Sequence, residues 1–224
     1  MRSIKLDKTV LRVKGNAARF LNGLSSNSLD KPQNAFLNIH GRIIATFDQV
    51  KIDEDEFLLV VAPQVVGAVL SHIEKFARLS KTVIEPLPFK VYFDLDNDVP
   101  LREGDRVILQ RKGRLLLSAG NIEDTISDSV FTLFRLEYQI PLQAIDYQDE
   151  MVLNVSLHDF VSYTKGCFLG QEPVAKVYNR SKPSWRLAVC FEDELEREKQ
   201  LTMTSTARDP QTGRVKGFAF IANK

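Results

Sequence analysis

The unbroken apolar run Phe57-Leu58-Leu59-Val60-Val61 is followed by Pro63 and then by apolar residues at Val65, Val66, Val69, Leu70, Ile73, Phe76 and Ala77, a pairing that constrains the fold more than any other feature. The run has the length and content of a buried strand. The spacing of three and four after it is that of an amphipathic helix, and proline suits the first turn of one. A helix with one apolar stripe placed directly after a buried strand has to cover the sheet that holds the strand.

The same two periods recur along the chain. Residues 10–13 alternate like a strand and end at Gly15, and Asn16 is placed to cap a helix carrying Ala17, Phe20, Leu21 and Leu24 on one face. Strand-like runs follow at 35–37 and 43–50 on either side of a turn at Gly41, and again at 90–95, 107–110 and 114–118, with Gly104 and Gly113 marking turns. A helix is expected over 129–138, capped by Asp128. Past Pro183 only short strand-like pieces remain, at 186–191, 201–206 and 216–221, which divides the chain into a main α+β domain, 1–182, and a small β appendage, 183–224. The acidic run from Glu192 to Glu198 reads as a solvated loop.

Thirty basic and twenty-nine acidic residues leave a formal charge of +1, which supplies no overall field for nucleic acid or a membrane surface. No apolar run approaches the roughly 18 residues needed to cross a bilayer, and the first residues lack the apolar stretch of a secretory signal, so a soluble intracellular protein is expected. Cys167 and Cys190 are the only cysteines, too few for a disulfide framework or a thiolate zinc site, and His40, His72 and His158 lack ligand spacing. No stable metal site is expected.

The segment that combines unusual residue types is Lys165-Gly166-Cys167-Phe168-Leu169-Gly170-Gln171-Glu172. Its glycines ask for a left-handed backbone or a close approach. Pro173 fits the first turn of a helix running on through Val174, Ala175, Val177 and Tyr178, which would place Cys167 just before a helix N-terminus with Lys165 nearby, a setting that favours thiolate. A small buried hydrophobe in a tight turn explains the same cysteine. Cys190, inside an apolar strand, reads as core. From Lys165 to Arg186 five basic residues, including Lys176 and Arg180, face one acidic residue, Glu172, so an anionic ligand could dock on this segment.

These eight residues resemble the KGCxxGQE signature of the YgfZ family, a branch of the aminomethyltransferase (GcvT-like) superfamily. The segment Arg135-Leu136-Glu137-Tyr138-Gln139-Ile140-Pro141-Leu142 with Asp146 is similar to the superfamily's RLExGIPLxGxD region, and the stretch from His158 to Thr164 continues the likeness. Residues 13–24 and 36–43 match more loosely. The resemblance implies a GcvT-like folate-binding domain with a β-barrel-like C-terminal domain, binding tetrahydrofolate or a one-carbon derivative. It implies a role in iron-sulfur cluster assembly or repair that supports client enzymes, tRNA-modifying ones included. Reduced folate and iron-sulfur client or assembly proteins are the implied partners, in a bacterial cytoplasm or a mitochondrial matrix.

By the same resemblance Glu137 meets the pterin ring, Lys165, Gly166, Gly170, Gln171 and Glu172 form the cofactor-binding loop with Cys167 as a candidate reactive thiol, and Lys176 and Arg180 attract the folate's glutamate tail. The transferases of the superfamily carry an Asp-Asp pair after the hairpin glycine, where this chain has Ala45-Thr46, so aminomethyl transfer is not expected, although Asp48 stands nearby. The alternatives are a folate-dependent aminomethyltransferase and an interaction module that has lost folate binding.

Overall fold

The computed structural model describes residues 1–223. In chain order the elements are β1 (Ser3–Leu6), β2 (Thr9–Lys14), α1 (Ala17–Leu24), β3 (Gln33–Leu37), β4 (Ile43–Lys51), β5 (Glu56–Val61), α2 (Val66–Ser80), β6 (Val83–Leu87), β7 (Lys90–Asp94), β8 (Arg106–Leu109) and β9 (Arg114–Ser118). They continue with α3 (Asp128–Tyr138), α4 (Val152–Val155), α5 (Gln171–Lys176), β10 (Trp185–Phe191), α6 (Arg197–Gln200), β11 (Thr204–Arg208) and β12 (Val215–Ala222). The strands form three antiparallel sheets, ordered β3-β4-β5-β2-β6, β1-β7-β9-β8 and β10-β12-β11.

Strand β5 explains why its sequence is apolar at every position. Phe57, Leu59 and Val61 point into a core shared with α1 and α2, while Leu58 and Val60 point the other way, into a core shared with the second sheet and α3. Each such side chain contributes about 1.5–3 kcal/mol when fully buried, so the helix-covered face and the sheet-on-sheet face are both strong. The second core is rich in aromatic contact, with Phe93 lying 5.1 Å from Phe131 and 5.7 Å from Phe134, centroid to centroid.

Strand β4 follows the same alternation with a different outcome. Ala45 and Phe47 face the helices, and Val50 joins the inter-sheet core, but the positions between them are Thr46 and Asp48. Two polar side chains therefore sit where the sheet interior would otherwise be apolar.

Several elements differ from the sequence expectation. Asn16 does not cap α1: its backbone is left-handed at φ 50°, and its amide donates instead to Ser80 O at 3.1 Å, tying the start of α1 to the end of α2. Ser127 rather than Asp128 precedes α3, and Asp128 is its first residue. Strands β1 and β6 lack a legible pattern; β1 spans four residues, and β6 holds Pro86, which is tolerated because β6 is the edge of its sheet. The C-terminal region is an open three-stranded sheet and not a barrel, since three strands, with a register shift between Thr204 and Ala207, cannot close on themselves. Leu187 of β10 and Phe220 of β12 pack on the core around Leu153 and Val155 of α4. The acidic run forms a short turn and α6, anchored by Arg214 to Asp193 and Glu194. Among the described residues no helix is long and apolar enough to cross a membrane.

Candidate functional site

Thr46 and Asp48 open the wall of a cavity of about 240 Å³ between the first two sheets. Its other polar groups include Lys8, Gln33, Gln110, Arg111, Tyr147 and Asp159, and Phe47, Val60, Ile140, Pro141, Leu142 and Phe160 are its apolar ones. Gln33 is the cross-strand partner of Asp48, and Gln110 follows β8 in the facing sheet. Both glutamines donate to the same oxygen, Asp48 Oδ1, Gln110 at 2.8 Å and Gln33 at 3.3 Å. Burial raises the Asp48 pKa above the usual carboxylate value, with Gln110, Lys8 and Gln33 acting against that rise. Burial likewise lowers the pKa of Lys8, opposed chiefly by Asp48. On the neighbouring wall the Thr46 hydroxyl and the Tyr147 phenol share a hydrogen bond of 2.7 Å, and Gln143 Oε1 accepts from Thr46 N at 2.7 Å. Burial raises the Tyr147 pKa, so this wall stays neutral.

The cavity rim at residues 139–147 is held from behind. Arg135 on α3 donates to Asp146 Oδ2 at 2.7 Å in a fully enclosed pair, and that oxygen also accepts from Leu142 N at 2.8 Å. Gln139 and Ala144 stand at the two places where the superfamily motif has glycine, and both keep the left-handed backbone a glycine would supply, at φ 51° and φ 69°. Arg111 bridges Gln139 O at 3.1 Å and Asp159 Oδ2 at 2.8 Å. A smaller cavity of about 90 Å³ shares Arg111, Gln139, Pro141, Asp159 and Phe160 with the first and extends along Leu187, Ala188 and Val189 of β10.

The signature loop is built on a close approach. A Cβ on Gly170, at φ 82°, would come within 2.3 Å of Asn38 O, so the loop can sit on the 38–41 turn only with glycine there. Gly166 has open space around it and no such need. The Lys165 ammonium donates to Ser25 O at 2.7 Å and Asn27 O at 2.9 Å, and burial brings its pKa down to about 8. Cys167 is exposed. The helix after it starts at Gln171, has six residues, and takes Pro173 at its third position instead of its first. Neither activating influence expected at the thiol is therefore in place: the helix is short and begins beyond Gly170, and the Lys165 charge is engaged by two carbonyls. Tyr163 and Tyr178 stack at 3.7 Å and join the loop to the turn that follows α5.

The structure thus separates the expected site residues into groups. Lys165, Gly166, Cys167 and Gly170 share one loop, Gln171 opens α5 after it, and Glu172, Lys176 and Arg180 are exposed beyond that; none of these lines the larger cavity. Glu137 is exposed on α3 and does not line it either, because the inward position of that turn belongs to Arg135. The residues that do meet in the cavity, Lys8, Gln33, Asp48, Gln110 and Tyr147, were not singled out by sequence except Asp48. The available signal was a polar pair, Thr46 and Asp48, at alternate positions of β4 that share a face with Val50. Among the described residues no cluster of three or more His, Cys, Asp or Glu is arranged to hold a metal.

No family model matches the chain. It is 28% identical to the mitochondrial iron-sulfur cluster assembly factor IBA57 of Mus musculus and 26% identical to that of Homo sapiens, in each case over 77% of this chain and 61% of the relative. The chain therefore spans about three fifths of the length of these curated relatives. Its fold matches the crystal structure of the glycine cleavage system aminomethyltransferase T from Bartonella henselae with a TM-score of 0.73, covering 98% of this chain and 78% of that one at 15% identity.

Proposed function

We propose, from the premise that the chain is a YgfZ-like member of the aminomethyltransferase superfamily, that it is an accessory factor in iron-sulfur cluster assembly or repair and works with a reduced folate. The observation that carries this reading is the pairing of a polar, ring-sized cavity with a separate, exposed thiol on a loop locked in place by Gly170. The likeness to mitochondrial assembly factors supports the assembly role and iron-sulfur assembly proteins as partners. The cavity volume is below the ~300–1,000 Å³ of sites that enclose a whole drug-sized ligand, which fits the pterin head alone. The benzoylglutamate tail then leaves along the smaller cavity, past Arg111, where a carboxylate finds a guanidinium. Cys167, exposed and apart from the cavity, serves a protein partner and not the folate.

The test is anaerobic cluster transfer to an apo client enzyme, followed by the client's iron-sulfur absorbance, with wild-type protein and Cys167→Ala. Faster client maturation with the wild type supports the reading, and loss of that gain in Cys167→Ala with folate binding intact assigns the thiol. Equal maturation with and without the protein removes the assembly role.

A second reading, one-carbon transfer on the bound folate, is favoured by one observation: Asp48 lies inside the cavity with a raised pKa, although Ala45-Thr46 replace the transferases' acidic pair. Production of methylenetetrahydrofolate from an aminomethyl donor is its direct assay.

A further inference from the structure

Asp48 is an unusual residue to find on this wall. A carboxylate inside a cavity is costly to keep charged unless it is paired or fully hydrogen-bonded, and among the described residues Asp48 forms no ion pair within 4.0 Å. Its hydrogen bonds are also lopsided. Gln110 and Gln33 both donate to Oδ1, while Oδ2 has no hydrogen-bond partner among the described residues. Gln33 Nε2 additionally donates to Gln110 Oε1 at 3.1 Å, which commits the Gln33 amide nitrogen and leaves its oxygen unmatched. Asp48 and Gln33 stand directly opposite each other on β4 and β3, so the two uncommitted oxygens belong to one cross-strand pair on the cavity wall.

We infer that Asp48 is the ring-reading residue of the cavity, its free carboxylate oxygen and the Gln33 amide oxygen forming an acceptor pair for a heterocycle edge with two adjacent N–H donors, as in the 2-amino-4-oxopyrimidine ring of a pterin. The inference rests on the reading that this cavity holds a reduced folate, and it assigns the recognition to Asp48 instead of the exposed Glu137. The two glutamines then have a defined part: they solvate one oxygen and so fix the carboxylate plane, leaving the other aimed at the ligand. A site built to accept from N–H groups rejects a ring lacking them strongly, because its acceptors are left desolvated and unpaired.

Asp48→Asn tests this with little structural disturbance. Its amide oxygen still accepts from both glutamines, but the free position becomes an N–H donor that opposes the ring's own donors. Tetrahydrofolate is titrated calorimetrically, without oxygen, into wild type, Asp48→Asn and Glu137→Ala, each shown to be folded by its unfolding transition. Saturable wild-type binding, weakened about tenfold or more in Asp48→Asn and unchanged in Glu137→Ala, is the expected result. Wild-type binding that Asp48→Asn leaves unchanged overturns the assignment and leaves the folate reading standing. Absence of wild-type binding overturns the folate reading, and this inference with it. If Asp48→Asn does not fold, wild-type proton linkage decides. The ring's donors favour the ionised carboxylate, so binding in mildly acid buffers of differing ionisation enthalpy releases protons; no release overturns the assignment. The other titratable groups on this cavity are Lys8, Arg111, Tyr147 and Asp159, and Arg111 and Ser156 already hydrogen-bond Asp159.

Discussion

The Arg135 guanidinium and the Asp146 carboxylate meet at 2.7 Å with both side chains closed off from solvent, and the pair joins all the parts that shape the cavity rim. Asp146 Oδ1 accepts from Thr204 Oγ1 at 2.9 Å and Ser205 Oγ at 2.5 Å on β11, and Oδ2 from Leu142 N. Helix α3, the rim and the C-terminal sheet are therefore linked through one carboxylate. Removing it strands a buried guanidinium, a loss of about 3–5 kcal/mol. Asp146→Ala is expected to lower the thermal midpoint by on the order of 10 °C; a drop of only a degree or two would mean that the pair contributes little beyond its own desolvation.

Gln139 and Ala144 hold left-handed backbone without the residue that holds it at least cost. A non-glycine residue there is strained by about 1–2 kcal/mol, of which glycine returns part, the rest being offset by the greater freedom it gives the unfolded chain. Gln139→Gly and Ala144→Gly are each expected to raise stability by about 0.5–1 kcal/mol in urea unfolding. Gln139 is the more informative, since it closes α3 as a left-handed C-terminal residue, the place where glycine is favoured.

Gly166 and Gly170 separate by the same logic. Gly170→Ala forces a Cβ against the Asn38 carbonyl oxygen as well as a left-handed alanine, whereas Gly166→Ala meets open space. The first is expected to cost about 2 kcal/mol or more and to loosen the loop carrying Cys167, and the second to change stability by less than about 0.5 kcal/mol. Equal effects in chemical denaturation would mean that the loop does not rest on the 38–41 turn.

What sequence made legible follows from what periodicity encodes. The β5 run and the α2 stripe report burial directly, and both elements formed as their patterns require except at Leu70, which stays exposed. The edge strand β6 and the four-residue β1 carry little pattern because half their neighbours are missing or their length is short. The signature loop was visible by composition, and its need for Gly170 is now tied to one carbonyl contact. The cavity was not legible, because Lys8, Gln33, Asp48, Gln110 and Tyr147 come from separate elements, and only the pairing of β3 with β4 and the packing of the second sheet bring them together. Resemblance pointed to Glu137, but local helix geometry turned it to solvent when Arg135 took the inward position.

Lys165 gives the fold a dependence on alkaline pH. Its pKa in the fold is about 8, down from 10.5, through burial. Between those two values the unfolded chain keeps a proton that the folded chain has released, so stability rises with pH across that window and is lower beneath it. The Lys165→Met variant loses this contribution, and its urea midpoint is expected to rise less than that of the wild type from neutral to alkaline pH. Identical pH profiles for the two proteins would exclude Lys165 as the source.

Asp48 places binding and stability in opposition. Burial raises its pKa, so the folded state holds its proton at a pH where the unfolded chain has released it; the stabilising form is the neutral one, and that stability is lost as pH rises through the folded value. Burial therefore disfavours the charged carboxylate in the fold. Asp48→Asn removes the charge and keeps the oxygen that accepts from Gln33 and Gln110. Its thermal midpoint is expected to rise by about 2–4 °C, the response of a domain of this size to roughly 1 kcal/mol, with the gain shrinking as the comparison is moved to acid pH. A residue kept for the fold alone would give the reverse, a loss on substitution that does not depend on pH. A gain in stability together with a loss of folate affinity in the same variant is the pattern of a group retained for its ligand, because the ligand's donors supply the hydrogen bonds that the protein leaves unmade at Oδ2.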